Sequence, residues 1–335
     1  MTGCCEIGGY FELERFSGKP YHKDAIALNS GRGCLAYLAE LRDIETMWIP
    51  DFMCDCVPEY LKRIGVKVRV FAVGSDFLPD YHGFEVRDGE WMLIADYYGQ
   101  LRECDVEFAL SFSGGRLIVD ETQGFFRESW KGADTFYSCR KWFGVADGAY
   151  LRTFDGSRLE QKLERDESFA RMGFVLGRFE RSASEFYAEA SANNDAFADE
   201  PAKLMSPITE NILCAVDYGA TRRCRDENWD ILAARLANVN RMDIGKPEGA
   251  FMYPLMTEEA QEIRRKLISK KIYVPCLWPN VLEGCDCGSA AFRFAESILP
   301  LPVDQRYGKK EMATIAETII RSIESCCMGD RKGFG

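Results

Sequence analysis

Short apolar runs that alternate with helical patterns constrain the fold of this chain most. Residues 91–95 and 117–119 are apolar throughout, as are strands that a parallel sheet buries on both faces. Helical patterns over 34–41 and 57–64 separate the predicted strands. This alternation predicts an α/β fold with a mostly parallel central sheet and helices on both faces.

Charged residues follow two of the predicted strands. Asp120 comes directly after the run 117–119, and Lys141 lies 21 residues later, just past a predicted strand over 135–139. The carboxyl ends of parallel strands meet at the edge of the sheet where α/β proteins bind ligands. We therefore expect these two side chains to line one site.

The surroundings of Lys141 indicate its chemistry. Aromatic residues flank it in the sequence, namely Phe136, Tyr137, Trp142 and Phe143. Burial favours the neutral amine, which is the nucleophile that forms Schiff bases. A pyridoxal phosphate site needs such a lysine for the aldehyde carbon and a carboxylate for the pyridine nitrogen. The alternatives are a lysine that extends into solvent and an aspartate that caps a helix or forms an ion pair.

A third stretch supplies a candidate phosphate site. Ser30, Gly31 and Gly33 stand at the start of the helical pattern over 34–41. The first N–H groups of a helix and the positive end of its dipole attract phosphate.

The sequence resembles the DegT/DnrJ/EryC1/StrS family of pyridoxal-phosphate sugar aminotransferases, a branch of the fold-type-I, aspartate aminotransferase-like proteins. The resemblance extends from about residue 27 to about residue 316. It is carried by Ser30-Gly31, Trp48-Ile-Pro-Asp-Phe-Met-Cys54, Ala95-Asp-Tyr-Tyr-Gly99, Asp120-Glu-Thr-Gln123, Ser138-Cys-Arg-Lys141 and Leu299-Pro-Leu-Pro-Val-Asp-Gln-Arg-Tyr307.

The resemblance implies a role for each matching position. Lys141 would bind the cofactor aldehyde and move the proton, Asp120 would contact the pyridine nitrogen, and Gln123 would lie beside the ring hydroxyl. Residues around the phosphate would be Ser30, Gly31, Arg32 and Ser138.

The sequence also departs from the family pattern. Where the family has an aromatic residue or histidine stacked on the cofactor ring, this chain has Cys54, with Phe52 nearby. The family's phosphate-binding serine usually lies further before the lysine than Ser138 does. The family asparagine that reaches the partner subunit's phosphate has no clear counterpart in residues 200–206.

The function implied by the resemblance is amino transfer from an amino acid, with glutamate as the expected donor, to a keto-sugar nucleotide. The pathway would be cell-surface polysaccharide or secondary-metabolite sugar biosynthesis. A homodimer with sites near the subunit boundary is expected. Two alternatives remain open, a pyridoxal-phosphate sugar dehydratase and a non-catalytic family member that binds a ligand or partner.

Composition limits the partners. The formal net charge of −11 disfavours nucleic-acid and anionic-membrane surfaces, and no apolar run reaches transmembrane length. A signal-peptide pattern is lacking at the N-terminus, so a cytoplasmic location is expected. The motifs Cys54-Asp-Cys56 and Cys285-Asp-Cys287 have one intervening residue rather than the usual zinc-site spacing. We therefore predict no metal, and reduced thiols for the 14 cysteines.

Two domains are predicted, an arm and large cofactor-binding domain over 1–220 and a small α+β domain over 221–335. In the small domain we predict strands over 250–256, 272–277 and 291–294, and helices over 258–270 and 309–323. A long helical region is predicted over 159–192. Its apolar stripe, which we expect to be core, consists of Phe169, Met172, Val175 and Phe179.

Overall fold

A seven-stranded central sheet organises the fold in the computed structural model, which describes the backbone of residues 7–330 and the side chains of 7–325. The strands in chain order are β1 (Ile26–Leu28), β2 (Thr46–Pro50), β3 (Lys67–Phe71), β4 (Trp91–Ala95), β5 (Leu117–Asp120), β6 (Asp134–Ser138) and β7 (Ala149–Arg152). Their order across the sheet is β1-β7-β6-β5-β4-β2-β3. Only β7 runs against the others, so the predicted mostly parallel sheet is confirmed.

Three helices connect strands of the sheet in its described part: α1 (Gly31–Leu41), α2 (Cys56–Arg63) and α3 (Glu103–Phe112). After β7 the chain continues with α4 (Gly173–Glu180), α5 (Tyr187–Ala196), α6 (Pro207–Leu213) and α7 (Tyr218–Leu236). Two apolar cores lie on either side of the sheet, because alternate residues along a strand face opposite ways. Met92 and Ile94 of β4 belong to one core, and Leu93 belongs to the other.

A second, smaller layer follows in the chain. It contains β8 (Met252–Met256), α8 (Ala260–Ser269), α9 (Pro279–Gly284), α10 (Ala290–Ser297), β9 (Ile298–Pro302) and α11 (Lys309–Asp330). Strands β8 and β9 pair antiparallel and share an apolar core with α7, α8 and α11. The predicted boundary between the two domains, at residue 220, lies within helix α7. That boundary stays a prediction.

Local sequence signals explain several helix starts. The Ser30 hydroxyl caps α1 by accepting a hydrogen bond from the Gly33 N–H at 2.9 Å. Ser206 caps α6 in the same way, and Pro207 occupies the first helical position.

The predicted strand over 291–294 is wrong, since this segment forms α10. Ala291, Phe294 and Ala295 are buried at helical spacing, and the Ser289 hydroxyl caps the helix by accepting from the Phe292 N–H. Residues 272–277 form no strand either.

The long helical region predicted over 159–192 is only partly helical. The chain is irregular from residue 159 to 168, and short helical segments follow, including α4 and α5. Met172 is buried, but Phe169 is 69% exposed and Phe179 is 92% exposed. The stripe is therefore not core in the single chain, and its aromatic rings face outward.

Candidate active site

A cavity of about 450 Å³ opens at the carboxyl ends of the parallel strands. Strands β4, β5 and β6 lie side by side there, with Ala95 paired to Asp120 and Asp120 paired to Phe136. The N-termini of α1 and α2 form another wall. The cavity is lined by Ser30, Gly31, Arg32, Leu35, Met53, Cys54, Cys56, Val57, Ala95, Asp96, Asp120, Thr122, Gln123, Phe136, Ser138, Arg140, Lys141, Asn194 and Trp278.

Asp120 and Lys141 both line this cavity and are linked through Thr122. The Lys141 ammonium donates to Thr122 Oγ1 at 2.8 Å, and the Thr122 N–H donates to Asp120 Oδ1 at 2.8 Å. The carboxylate follows from the end of β5, and the lysine from the turn after β6. The sequence analysis assigned no role to Thr122, although Thr122 lies within the matching stretch Asp120-Glu-Thr-Gln123.

The aromatic residues near Lys141 do not enclose it, and the side chain is exposed. Phe136 lines the cavity, whereas Tyr137 points elsewhere and stacks on His22 with ring centroids 3.9 Å apart. Trp142 is buried, and its indole N–H donates to the Thr122 carbonyl at 3.1 Å. The expected burial of the amine is therefore wrong. Phe136 and Tyr137 face opposite ways along β6, and Lys141 lies in the exposed turn after that strand.

The start of α1 forms one end of the cavity. The first N–H groups of a helix have no partner within the helix, so those of Gly31 and Arg32 are available at this end. A side chain at position 33 would not fit, since a Cβ there would lie 2.2 Å from Asn29 Oδ1.

Two guanidinium groups add positive charge at the same end. Arg32 donates to the Asn194 carbonyl at 2.7 Å, and Arg140 donates to the Asn194 side-chain oxygen. Burial, together with repulsion from Arg32 and Arg171, lowers the pKa of Arg140 to about 10. These cations and the α1 N-terminus make this end suitable for an anion.

The structure brings most of the remaining predicted site residues to the cavity. Gln123 is buried and accepts a hydrogen bond from the Tyr98 N–H at 2.9 Å. Ser138 ends β6, and Cys54 follows β2 in the opposite wall. Phe52 does not line the cavity, since its ring packs against the aromatic rings of Phe77, Tyr97, Trp278 and Phe294.

The sequence analysis did not identify a buried pair of acids beside the cavity. Asp96 lines the cavity at the end of β4, and Glu121 is fully buried next to Asp120. Asp96 Oδ2 and Glu121 Oε2 are buried and have no hydrogen-bond partner among the described residues.

The pKa values of this pair are raised. Burial raises the pKa of Glu121 well above its usual range, and the charge on Asp96 adds to this. Burial raises the pKa of Asp96 to about 6, while Arg127, whose Nε lies 3.3 Å from Asp96 Oδ2, opposes the shift. Burial therefore favours protonation within the pair, whereas Arg127 favours the charged form of both carboxyls.

The residues present fit pyridoxal phosphate. The cavity has an anion-binding end at the α1 N-terminus, with Arg32 and Arg140, and carboxylates from β4 and β5 elsewhere in its wall. The cofactor has a phosphate and a basic ring nitrogen, which require groups of these two kinds. Lys141 lines the same space and supplies the side-chain nitrogen that the aldehyde requires.

The described part of the chain lacks two other features. No group of three or more His, Cys, Asp or Glu side chains there has the arrangement needed to hold a metal ion. No helix there is long and apolar enough to cross a membrane.

Comparison with known proteins gives matches among solved structures alone. No family model matches the sequence, and no curated protein matches it either. The PLP form of Spr1654 from Streptococcus pneumoniae, described as a sugar aminotransferase, is 13% identical with a TM-score of 0.64. That match covers 90% of this chain and 87% of the other.

Two further structures are similar over the same extent. A DegT DnrJ EryC1 StrS aminotransferase from Brucella abortus is 14% identical, with a TM-score of 0.60 and coverage of 88% of this chain and 84% of the other. The sugar aminotransferase CalS13 from Micromonospora echinospora is 14% identical, with a TM-score of 0.61 and coverage of 89% and 87%. This chain therefore has the fold of the PLP-dependent, aspartate aminotransferase-like sugar aminotransferases, as the sequence predicted.

Proposed function

We propose that this protein is a pyridoxal-phosphate-dependent aminotransferase that moves an amino group from an amino acid to a keto-sugar nucleotide. The observation that carries the proposal is the link from Lys141 through Thr122 to Asp120 within one cavity. The structural neighbours described as sugar aminotransferases support the same class of reaction. Glutamate is the donor that we propose to test first.

Each part of the cavity has a role in this proposal. The α1 N-terminus, Ser30, Arg32 and Ser138 would hold the phosphate, and Asp120 would hold the protonated pyridine nitrogen. Gln123 would lie beside the ring hydroxyl. When bound, pyridoxal phosphate supplies an electron-accepting ring that stabilises negative charge at the substrate carbon.

Lys141 would act twice. Its amine would hold the cofactor aldehyde before the donor arrives, and once released it would carry the proton between the substrate carbon and the cofactor carbon. Thr122 Oγ1 accepts a hydrogen bond from this amine and so directs it into the cavity. The exposure of Lys141 leaves the amine free to move between these positions.

We further propose that the protein acts as a homodimer. Aromatic side chains are strongly exposed in the single chain, with Tyr10 at 99%, Phe11 at 98% and Phe179 at 92%. Exposed apolar groups of this size mark interaction surfaces. Phe179 also lines a cavity that reaches Lys141, so a partner covering α4 would lie next to the site.

A cytoplasmic location fits this proposal, since the ten cysteines of the described residues are unpaired. A role in making sugars for cell-surface polysaccharides or secondary metabolites is proposed from the same resemblance.

Half-reaction spectroscopy tests the proposed function. The protein is incubated with pyridoxal phosphate, freed of excess cofactor, and mixed with glutamate while the cofactor absorbance is followed. We expect a visible band for the lysine-bound cofactor, and its conversion to the pyridoxamine form by glutamate. Lys141→Ala should lose the band and slow conversion by about 10²- to 10⁴-fold.

The same experiment separates the alternatives. Lys246→Ala is the matched control, because this lysine forms a surface ion pair with Asp230 away from the cavity. A wild-type protein that binds the cofactor but gives no pyridoxamine form with any amino acid would favour a dehydratase. A protein that shows no band at all would favour a non-catalytic binding protein.

A further inference from the structure

A second cavity of about 450 Å³ also reaches Lys141, and its walls come from α4, α7, α11 and the segments around β8 and β9. Five of its lining side chains are basic, and two are acidic. We call it the basic cavity, after Lys141, Arg178, Arg225, Lys271 and Arg306. The surplus of positive charge contrasts with the formal net charge of −11 for the whole chain, and the site described above does not use it.

The two acids of the basic cavity already have donors. Arg306 donates from Nε to Asp304 Oδ1 at 2.7 Å and from Nη2 to Asp304 Oδ2 at 2.9 Å, which engages both carboxylate oxygens. Glu311 accepts from the Gly308 N–H at 3.0 Å, just before α11. Three other cations of the cavity form no ion pair with any described residue, namely Arg178, Arg225 and Lys271. Their charges are therefore available to an anionic ligand.

The Arg225 guanidinium is buried, with 1% of the residue exposed, and its hydrogen-bond partners are all uncharged. Nε donates to Gln305 Oε1 at 2.8 Å, and Nη1 donates to the Ala250 carbonyl at 2.9 Å. Nη2 has no hydrogen-bond partner within the described part of the chain. A buried cation is costly unless an opposite charge lies near it. This guanidinium is thus a preformed site for an anion from outside the chain.

Arg225 is also held next to the proposed catalytic lysine. Its guanidinium carbon lies 4.3 Å from the centroid of the Trp142 ring, and Trp142 directly follows Lys141. Gln305 Nε2 donates to the Trp142 carbonyl at 2.9 Å, which joins Arg225, Gln305 and Trp142 in one network. Lys141 Nζ lies 5.8 Å from the ring centroid of Phe251, which lines the basic cavity. A ligand whose anionic group binds Arg225 therefore extends towards the Lys141 amine.

The size and the aromatic side chains of the basic cavity indicate the kind of anion. Small-molecule sites typically have volumes of about 300 to 1,000 Å³, so this cavity holds more than a single carboxylate. Tyr273 and Tyr307 line it, and Tyr273 is 54% exposed. Nucleobases stack on aromatic rings of this kind, and arginine binds phosphate oxygens in pairs. Together these groups fit a nucleoside diphosphate.

We propose that the basic cavity binds the diphosphate of the sugar nucleotide, with Arg225 as its buried anion-binding residue and Arg178 and Lys271 nearer to solvent. This inference rests on the proposed amino transfer, because it assigns a binding site to one of the two substrates. The amino acid donor is a second source of an anion, since a carboxylate also pairs with arginine. A nucleotide and glutamate therefore serve as separate probes.

Titration calorimetry with uridine 5′-diphosphate (UDP), and in parallel with thymidine 5′-diphosphate, tests the proposal. The protein is first loaded with pyridoxal phosphate, so that the anion-binding end at α1 is occupied. We expect one of the two nucleotides to bind and inorganic pyrophosphate to compete with it. The matching nucleoside should bind at least about 10-fold more weakly, because it lacks the charged oxygens. Added salt should weaken nucleotide binding by screening the exposed cations.

Variants of the basic residues locate the site. Arg225→Gln removes the buried charge and should weaken nucleotide binding by about 30-fold or more. Arg225→Lys keeps the charge without the planar fork and should recover part of the affinity. Lys271→Ala, at an exposed position, should weaken binding by about 2- to 5-fold. Lys246→Ala is the matched control, because it removes one positive charge outside the cavity and should leave the affinity unchanged.

A second variant keeps the test decisive if Arg225→Gln does not fold, which urea unfolding detects. The double charge reversal Arg178→Glu/Lys271→Glu alters two exposed positions only. It places two negative charges in the basic cavity, so we expect it to weaken nucleotide binding by at least about 10-fold.

The proposal is overturned if neither nucleotide binds the cofactor-loaded protein, or if the folded variants bind it as tightly as the wild type. It is also overturned if the variants raise the glutamate concentration needed for half-maximal conversion and leave nucleotide affinity unchanged, since the anion is then the donor carboxylate. Conversion of glutamate without nucleotide binding supports the amino transfer and contradicts the nucleotide site. Nucleotide binding that depends on Arg225, without conversion of glutamate, supports the site and contradicts the amino transfer.

Discussion

Buried acids next to the central sheet fall into two groups, which differ in how fully their oxygens accept hydrogen bonds. Before β7, the carboxylate of Asp147 accepts hydrogen bonds from the Ser206 N–H and hydroxyl, both at 2.7 Å, and from the Thr209 hydroxyl. Beside the cavity, Asp96 and Glu121 each keep a buried oxygen with no hydrogen-bond donor among the described residues. The chain thus supplies donors to both oxygens of the structural acid, and leaves one oxygen of each acid near the site without a donor.

The difference identifies the region where buried carboxyls lack hydrogen-bond donors, at a cost in folding stability. Buried carboxyls that hold the structure together are saturated with donors, because an unsatisfied buried charge is costly. Asp134 follows the same rule, since Arg42 binds both of its oxygens at 2.9 Å. At the ends of β4 and β5 this rule is relaxed, as expected for a region that binds a ligand.

We expect Asp120→Asn to have the largest effect, on the rate of the glutamate half-reaction. This variant tests the acids at the proposed site. Asparagine keeps an oxygen for the Thr122 N–H but removes the charge proposed to hold the pyridine nitrogen. We expect the glutamate half-reaction to slow by about 10²- to 10³-fold, as when one preorganised electrostatic group is lost. Stopped-flow absorbance measures this rate.

The control for Asp120→Asn is the free energy of unfolding in urea, which should stay within about 0.5 kcal/mol of the wild-type value. A variant with an unchanged half-reaction rate would show that Asp120 does not contact the cofactor.

Asp147→Ala should have the next largest effect, on stability. The substitution leaves the donors of Ser206 and Thr209 without their buried acceptor, so we expect a loss of about 3 kcal/mol in the free energy of unfolding. Urea unfolding followed by tryptophan fluorescence measures it. Asp147→Asn keeps one oxygen acceptor and should lose less. Equal stability of Asp147→Ala and the wild type would break the comparison.

We expect Glu121→Gln to have the smallest effect, a change in how the free energy of unfolding depends on pH. The folded pKa of Glu121 is raised above the unfolded value, so the folded chain holds a proton that the unfolded chain releases. Wild-type stability from this group is therefore present at low pH and falls as pH rises from about 4.5, by up to about 1.4 kcal/mol per pH unit. Glutamine does not titrate, so the variant should lose less stability as the pH increases.

Urea unfolding at pH 5, 6, 7 and 8 measures this difference in slope. Glu59→Gln serves as the control, because Glu59 is an exposed residue of α2. Parallel stability curves for Glu121→Gln and the wild type would show that the buried pair carries no extra proton.

Much of the fold was predictable because its signals are local. Residues 91–95 form β4 within the predicted bounds, and Ser30 and Ser206 cap the helices that they precede. The apolar character of a strand and the cap of a helix depend on neighbours in sequence. The prediction for 291–294 was wrong because a short segment with three apolar residues fits both a strand and a helix, and the Ser289 cap favours the helix.

From the sequence alone, the parallel α/β character of the large sheet and the positions of Asp120 and Lys141 after neighbouring strands could be predicted. The link through Thr122, the contacts of Asn194 with Arg32 and Arg140, and the burial of Asp96 and Glu121 without full partners became visible in the packed fold alone. Packing also leaves the Phe179 ring exposed and places the Phe52 ring outside the cavity wall. The physical reason is that periodicity and caps act over a few residues, whereas these contacts join segments that only the packing of the sheet brings together.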